Sequence, residues 1–334
     1  MSKTKKVLGL GNALVDIMTQ LEDEYLLQIF DLPKGSMQLV DKTKSDQVVG
    51  GTKHLKSSLA AGGSAANTIN GLAKLGANCG FIAKIGKDSF GEFFSNDMIS
   101  SGIQPILIQS DTESGIAVAL ISPDSERTFA TYLGASVELS ASDLKPENFS
   151  GFDYLHIEGY LVQNQALIEK ALQLAKAEGL VISLDLASYN VVEENLAFLQ
   201  DMTKKYVDIL FANEDEARAF TGEINPEKAL EIMAKSVDIA VIKVGKLGSL
   251  IKNNNIKYQI GIIDVNSHDT TGAGDLYAAG FLFGLMNGLS LEKSGQIGAI
   301  LAGNVIEVIG AKMDDERWAK IKKEVEKIVA KKPD

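Results

Sequence analysis

Four short apolar runs, set between amphipathic stretches, limit what this chain can fold into. YLHIEG (154–159), LVISLDL (180–186), DILFAN (208–213) and IAVIKVG (239–245) are near-continuous hydrophobic segments rich in β-branched residues. After the first, residues 164–178 place Ala166, Leu167, Ala171, Leu174 and Ala175 on one helical face, and Gly179 supplies a stop. Strands that are apolar on both faces need cover on both faces, which means a mostly parallel sheet between helical layers. The expected class is therefore α/β. In open α/β sheets ligands bind beyond the carboxyl ends of the strands, so polar residues there are the first candidates for a site.

The first half breaks this rhythm. GIAVALISP (115–123) and RTFATYL (127–133) read as two strands joined by Asp124-Ser125-Glu126, and SMQLVD (36–41) reads as another. These pieces predict a small accessory sheet inserted in two segments, about 15–52 and 107–136, and placed to cover a site. Asp314 to Ala330 reads as an amphipathic helix with Trp318, Ile321, Val325, Ile328 and Val329 inward and its lysines in solvent.

Composition bounds the partners. With 334 residues, the chain is one large domain with an appendage, or two domains. The formal net charge of -11 argues against nucleic acid and anionic membrane as partners, while leaving room for a local basic pocket. The single cysteine, Cys79, allows no intrachain disulfide, points to a reducing, cytoplasmic setting, and itself reads as a small buried hydrophobe. The start MSKTKKVLGLGNALVDIM is basic and then apolar, but Asp16 interrupts it and no small-residue cleavage site follows, so a first strand is expected. No stretch approaches 18 apolar residues without interruption. His54, His156 and His268 form no metal-ligand spacing with Cys79, so no zinc site is expected. Gly9-x-Gly11 lacks the third glycine of a dinucleotide fingerprint, and neither GxxxxGK[ST] nor G-x-S-x-G occurs.

Four stretches carry chemistry. In DTTGAGDLYAAGF (269–281), backbone N–H groups of residues 272–275 open a helix and have no partner within it. Gly272, Ala273 and Gly274 keep side chains out of the way, which makes an anion cradle. Asp275 then lies beside the anion, where it can orient a hydroxyl and accept its proton, and the helix start favours its ionised form. In AGGSAANTINGLAKLG (61–76), Ser64 is the expected N-cap of a helix running to Leu75, Gly62 and Gly63 allow close backbone approach, and Asn67 can point its amide at a ligand. The alternative is a glycine-rich turn packed on the sheet. In FANEDEARAF (211–220), Asn213 and Glu216 share a helix face and suit water-mediated Mg²⁺ binding, although acids in a first helical turn are also favoured by the helix dipole alone. KVGKLGS (243–249) suggests a turn near a nucleotide, and Asp16 follows directly on the first strand.

AGGSAAN, NEDE and DTTGAGD, in this order and at these separations, resemble the ribokinase-like (PfkB) family of carbohydrate and nucleoside kinases across nearly the whole chain. The resemblance implies a three-layer α/β/α domain with a mostly parallel central sheet and a small β-sheet lid, spanning 1–334 as one kinase domain. It implies ATP as donor and Mg²⁺ as the required ion. By it Asp275 is the catalytic base, Gly272, Ala273 and Gly274 form the anion hole, and Arg127 is a lid arginine that reaches the transferring phosphate. Asn12, Asp16, Met37, Gly63, Ser64, Asn67 and Tyr160 fall at acceptor-site positions. Asn213, Lys243, Val244, Gly245, Gly248 and Asn304 fall on the nucleotide side, and Asn213 with Glu216 would hold Mg²⁺ through water. Some relatives bind a monovalent cation such as K⁺ near Asp269, Thr271 and the segment before Gly310. GNALVDI, SMQLVD, RTFATYLGA and FANEDEA look most like the adenosine kinase branch, which implies a nucleoside acceptor and a place in purine salvage. Thr271 is shared with ribokinases and fructokinases, and keeps a sugar kinase as the alternative. A non-catalytic nucleoside or sugar sensor is the alternative of another class. A lid of this kind acts alone or pairs its exposed face with a second copy, so a monomer and a homodimer both fit.

Overall fold

The computed structural model describes residues 4–124 and 126–330. Its strands, in chain order, are β1 Lys6–Leu10, β2 Leu14–Gln20, β3 Met37–Leu39, β4 Ser57–Gly62, β5 Asn78–Gly86, β6 Ile103–Ser110 and β7 Gly115–Ile121. They continue as β8 Arg127–Tyr132, β9 Tyr154–Glu158, β10 Val181–Asp185, β11 Ile209–Asn213, β12 Ile239–Lys243, β13 Ser249–Asn253 and β14 Ile256–Ile260. The four apolar runs become β9 to β12, neighbours in a nine-stranded sheet of order β14-β13-β12-β11-β10-β9-β1-β5-β6. All pairings from β6 to β12 are parallel, and β13 and β14 add an antiparallel edge.

Alternation along each strand divides the core. Val7, Phe81, Phe211 and Val241 face one helical layer, where they meet Ile69, Phe281, Leu301 and Trp318. Leu8, Leu155, Leu210 and Ile242 face the other, against Leu172, Ala217 and Leu230. The inner strands thus bury side chains on both faces, as their lack of polar alternation requires. Helix Ala273–Met286 is apolar nearly all round because it packs against helices Leu291–Val305 and Ser64–Lys74 and, through Phe281, against Phe211 of β11. It touches helix Leu291–Val305 through glycine: a Cβ on Gly280 would lie 2.7 Å from the Ile297 carbonyl oxygen.

The second sheet has the order β3-β8-β7-β2-β4. It takes in β4, which lies outside the two segments read from sequence, whereas β6 pairs with β5 in the large sheet although it overlaps the second of them. Its pairings are mixed: β7–β8 and β2–β4 are antiparallel, while β2–β7 and β3–β8 are parallel. The central strand β7 is buried along its length and β3 is exposed along its own. Of the turn joining β7 and β8, Ser125 lies outside the described residues. Helix Asp315–Ala330 buries Trp318, Ile321 and Val325 as expected and half-buries Ile328, but Val329 turns outward and is 44% exposed.

Candidate active site

The last residues of β9, β10, β11 and β12 are Glu158, Asp185, Asn213 and Lys243. Four adjacent parallel strands therefore end on polar side chains at the carboxyl edge of the sheet, where ligands of such folds bind. Sequence reasoning found Asn213 and Lys243 but passed over Glu158 and Asp185.

Glu158 is buried and ties together two segments that the resemblance assigns to the acceptor. Its Oε1 accepts from the Asn12 backbone N–H (2.9 Å) and Asn12 Nδ2 (2.6 Å), and its Oε2 accepts from the Ala65 N–H (2.9 Å). The turn after β1 is thereby tied to the start of helix Ser64–Lys74. The N-cap of that helix is Gly63, not Ser64 as its sequence suggested. At φ +105° Gly63 holds a conformation L side chains rarely adopt, and a Cβ would meet the Asn12 carbonyl oxygen at 2.3 Å. Released from capping, Ser64 Oγ donates to Asp275 Oδ1 (2.7 Å) and Asn67 Nδ2 donates to Asp275 Oδ2 (3.0 Å). Two residues of one signature thus orient the carboxylate of the other.

Asp275 sits in the first turn of helix Ala273–Met286, whose N-cap Gly272 is left-handed at φ +75°. The Ala273 N–H donates to the Thr270 carbonyl (3.2 Å), so it is not among the free donors of the turn. The N–H groups of Gly274 and Asp275 have no backbone acceptor among the described residues. Burial pushes the Asp275 pKa up to about 6, against the pull of its Asn67 and Ser64 hydrogen bonds. Desolvation therefore outweighs the helix start that was expected to hold it low, yet the group remains mostly ionised at neutral pH. Asp16, whose carboxylate lies over Gly62, is likewise pushed by burial to about 7, while Lys312 and Arg127 pull it down.

Arg127 crosses from the small sheet to the loop ahead of the anion turn. Its Nη1 donates to Thr271 Oγ1 (2.8 Å), Nη2 pairs with Asp269 Oδ2, and the buried Nε has no partner among the described residues. Asp269 also accepts from the Thr271 N–H (2.9 Å) and the Gly310 N–H (2.8 Å). The side chains of Asp269 and Thr271 are thus both engaged by the Arg127 guanidinium.

Asn213 and Glu216 form a reciprocal capping box. Asn213 Oδ1 accepts from the Glu216 N–H (2.8 Å), and the Glu216 carboxylate accepts from the Asn213 N–H (2.8 Å) and Nδ2 (2.7 Å). Burial pushes Glu216 up to about 7, against the attraction of Lys243. Each carboxylate oxygen already holds a donor, so the pair fits a hydrated Mg²⁺ reached through water rather than an ion ligated directly.

In the segment that the resemblance assigns to the nucleotide, Val244 is buried in a turn closed by its N–H to the Gly248 carbonyl (2.8 Å). Gly245 and Gly248 there have φ +52° and +90°. Asn304 Nδ2 donates back to the Ile300 carbonyl (2.9 Å) within its own helix. The Lys243 Nζ donates to Asp185 Oδ2 (2.7 Å). Tyr160 donates to the Ala187 carbonyl (3.3 Å), and Met37, on the exposed strand β3, is 56% exposed.

A helix-start turn with free N–H groups flanked by an oriented carboxylate, at the carboxyl edge of a parallel sheet with a small sheet beside it, is an arrangement suited to phosphoryl transfer onto a hydroxyl group. The chain belongs to the pfkB family of carbohydrate kinases, whose family model matches residues 36–317. It is 31% identical over 263 residues to a 5-dehydro-2-deoxygluconokinase of Clostridium beijerinckii, covering 73% of this chain and 78% of that protein. A solved adenosine kinase from Sinorhizobium meliloti is 30% identical with a TM-score of 0.85, over 96% of this chain and 100% of that one. A probable sugar kinase from Rhizobium etli CFN 42 is 29% identical with a TM-score of 0.86, over 96% and 98%. Among the described residues no helix is long and apolar enough to cross a membrane.

Proposed function

We propose that this protein is an ATP-dependent kinase that phosphorylates a primary hydroxyl of a nucleoside, adenosine or a close analogue. The observation that carries the reaction is the Asp275 carboxylate, fixed by Ser64 and Asn67 next to the free N–H groups of its own helix start. A hydroxyl donating to Asp275 is aimed at a phosphoryl group resting on the turn. As its oxygen bonds to phosphorus and the bond to the leaving ADP breaks, Asp275 takes the proton. Asp16 and Asn12 offer acceptors for the remaining hydroxyls, and Arg127 stands at the edge of the turn to meet the transferring group. Mg²⁺ on the donor phosphates, when bound, supplies the charge neutralisation that a cleft rich in carboxylates needs.

The nucleoside assignment is supported by likeness to an adenosine kinase over 96% of the chain. A sugar acceptor is the second reading, favoured by similarity to 5-dehydro-2-deoxygluconokinases and by Thr271 before the GAGD turn. ADP release measured with adenosine, inosine, ribose, fructose, 2-keto-3-deoxygluconate and 5-dehydro-2-deoxygluconate tests both. Turnover is expected with adenosine or inosine. Turnover with a sugar and none with a nucleoside removes the first reading, and ligand binding without any ADP release marks a sensor.

A further inference from the structure

Lys243 is only 17% exposed at its side chain, and no part of the mechanism above uses it. A Cβ built on Gly274 would lie 3.0 Å from Lys243 Nζ, so the ammonium sits beside the anion turn in the space that a side chain at this position would need. Asp185 aims it there. Its Oδ2 holds Nζ at 2.7 Å, and its Oδ1 accepts from the Ala187 N–H (3.1 Å). Ala187 has φ +65°, an unusual conformation for a residue with a Cβ, and Tyr160 clamps its carbonyl. Strained backbone held by its surroundings marks a geometry that the fold maintains.

We propose that Lys243 is a positioning residue for phosphoryl transfer: Asp185 sets its ammonium beside Gly274, where it supplies the positive charge against which the Asp275 carboxylate and the arriving phosphoryl group are held. The inference rests on the reading of Asp275 as the base. The titratable groups coupled to Asp275 include Asp16 from β2, Glu158 from β9, Tyr160 after it, Asp185 from β10, Glu216 from its helix and Lys243 from β12, with Arg127 of β8 held on Asp269 and Thr271 just ahead of the turn. Lys243 is the cation that acts directly on Asp275. Without it, repulsion among the carboxylates favours a protonated Asp275 that cannot accept a hydroxyl proton.

The test compares Lys243→Met, Lys243→Arg and Asp185→Asn with the wild type. Two readouts are the pH dependence of kcat and the ¹³C NMR titration of the Asp275 carboxyl. In Lys243→Met the acid limb and the NMR midpoint should move up by roughly one pH unit, with kcat at neutral pH down about tenfold or more. Lys243→Arg should keep the wild-type midpoint. Asp185→Asn keeps the ammonium and removes a repelling charge, so its midpoint should move down. Shifts of opposite sign are not produced by general loosening, and Lys243→Gln, which keeps a hydrogen-bonding side chain without the charge and should also shift the midpoint up, takes the place of Lys243→Met if that variant does not fold. Unchanged midpoints in the folded variants would overturn the proposal. A raised KM for ATP with unchanged kcat would also overturn it, by making Lys243 a nucleotide contact. If the wild type phosphorylates none of the acceptors, the kinase reading fails on its own, and the NMR midpoints still judge Lys243.

Discussion

Replacing Glu158 by glutamine changes one atom in a buried, three-donor site, and its cost follows from the hydrogen-bond geometry. Oε1 takes two donors from Asn12 and Oε2 takes the Ala65 N–H. A glutamine has one acceptor oxygen. Its better orientation keeps both Asn12 contacts and turns the amide nitrogen onto the Ala65 N–H, leaving a buried backbone donor unpaired. That costs about 1–3 kcal/mol. An unfolding entropy of about 2.1 cal/mol/K per residue scales to roughly 0.7 kcal/mol/K for this chain, so Tm should fall by about 2–4 °C. Glu158→Ala strands two backbone donors and should lower it by about 3–9 °C. Because Ala65 adjoins Ser64, which orients Asp275, acceptor KM should rise several-fold more than the KM for ATP. Burial pushes the Glu158 pKa up to about 7 while its backbone and Asn12 donors pull it down, so the comparison belongs at pH 8, where the group is ionised. Differential scanning calorimetry and steady-state kinetics supply both numbers. A glutamine variant within 1 °C of wild type (roughly 1 kcal/mol or less by the same scaling) and with unchanged acceptor KM would show the carboxylate to be protonated, and refute the account of the acceptor turn.

Asp275→Asn removes the base and keeps the shape, so kcat should fall about 10²–10⁴-fold while calorimetric binding of the acceptor stays within a few-fold; turnover near wild type would sink the assignment. Stability should fall as pH rises from about 4 to 7. Asp16, Glu158 and Glu216 are pushed to about 7 and Asp275 to about 6, all above their ordinary values, so the folded state binds more protons than the unfolded chain across that window. Buried His156, lowered to about 4, opposes this by losing stability as pH drops below its ordinary 6.5. Four carboxylates against one imidazole predict a Tm higher at pH 6 than at pH 7.5, with a flatter slope in Asp16→Asn. A Tm that climbs over that interval contradicts the carboxylate argument.

The strands β9 to β12 were legible because continuous apolar runs have few other uses, and the anion turn because glycine before a helix has a narrow meaning. The small sheet was only partly so. SSLAAG, which forms β4, is built of small and polar residues and gives no β-branched signal. Glu158 and Asp185 were missed although each closes its strand where Asn213 and Lys243 close theirs. A charge ending YLHIE or VISLD reads as a strand meeting solvent unless the four runs are aligned by their last residue. Ser64 was read as a cap from its residue type, but the left-handed Gly63 takes that place and frees the hydroxyl for a partner 211 positions away. The NEDE segment shows the reverse. Its i, i+3 geometry was correct, and the two side chains satisfy it first with each other.

The glycine seam between helices Ala273–Met286 and Leu291–Val305 bears on how precision is kept. Gly280 lies against Ile297 and Gly284 against Ser294 with no room for an added methyl, so neither helix can slide or roll alone. Asp275 heads one helix and Asn304 stands near the end of the other. The carboxylate proposed as the base and the residue proposed to lie beside the nucleotide thus ride on one slab, and a bulkier residue in the seam would tilt both together.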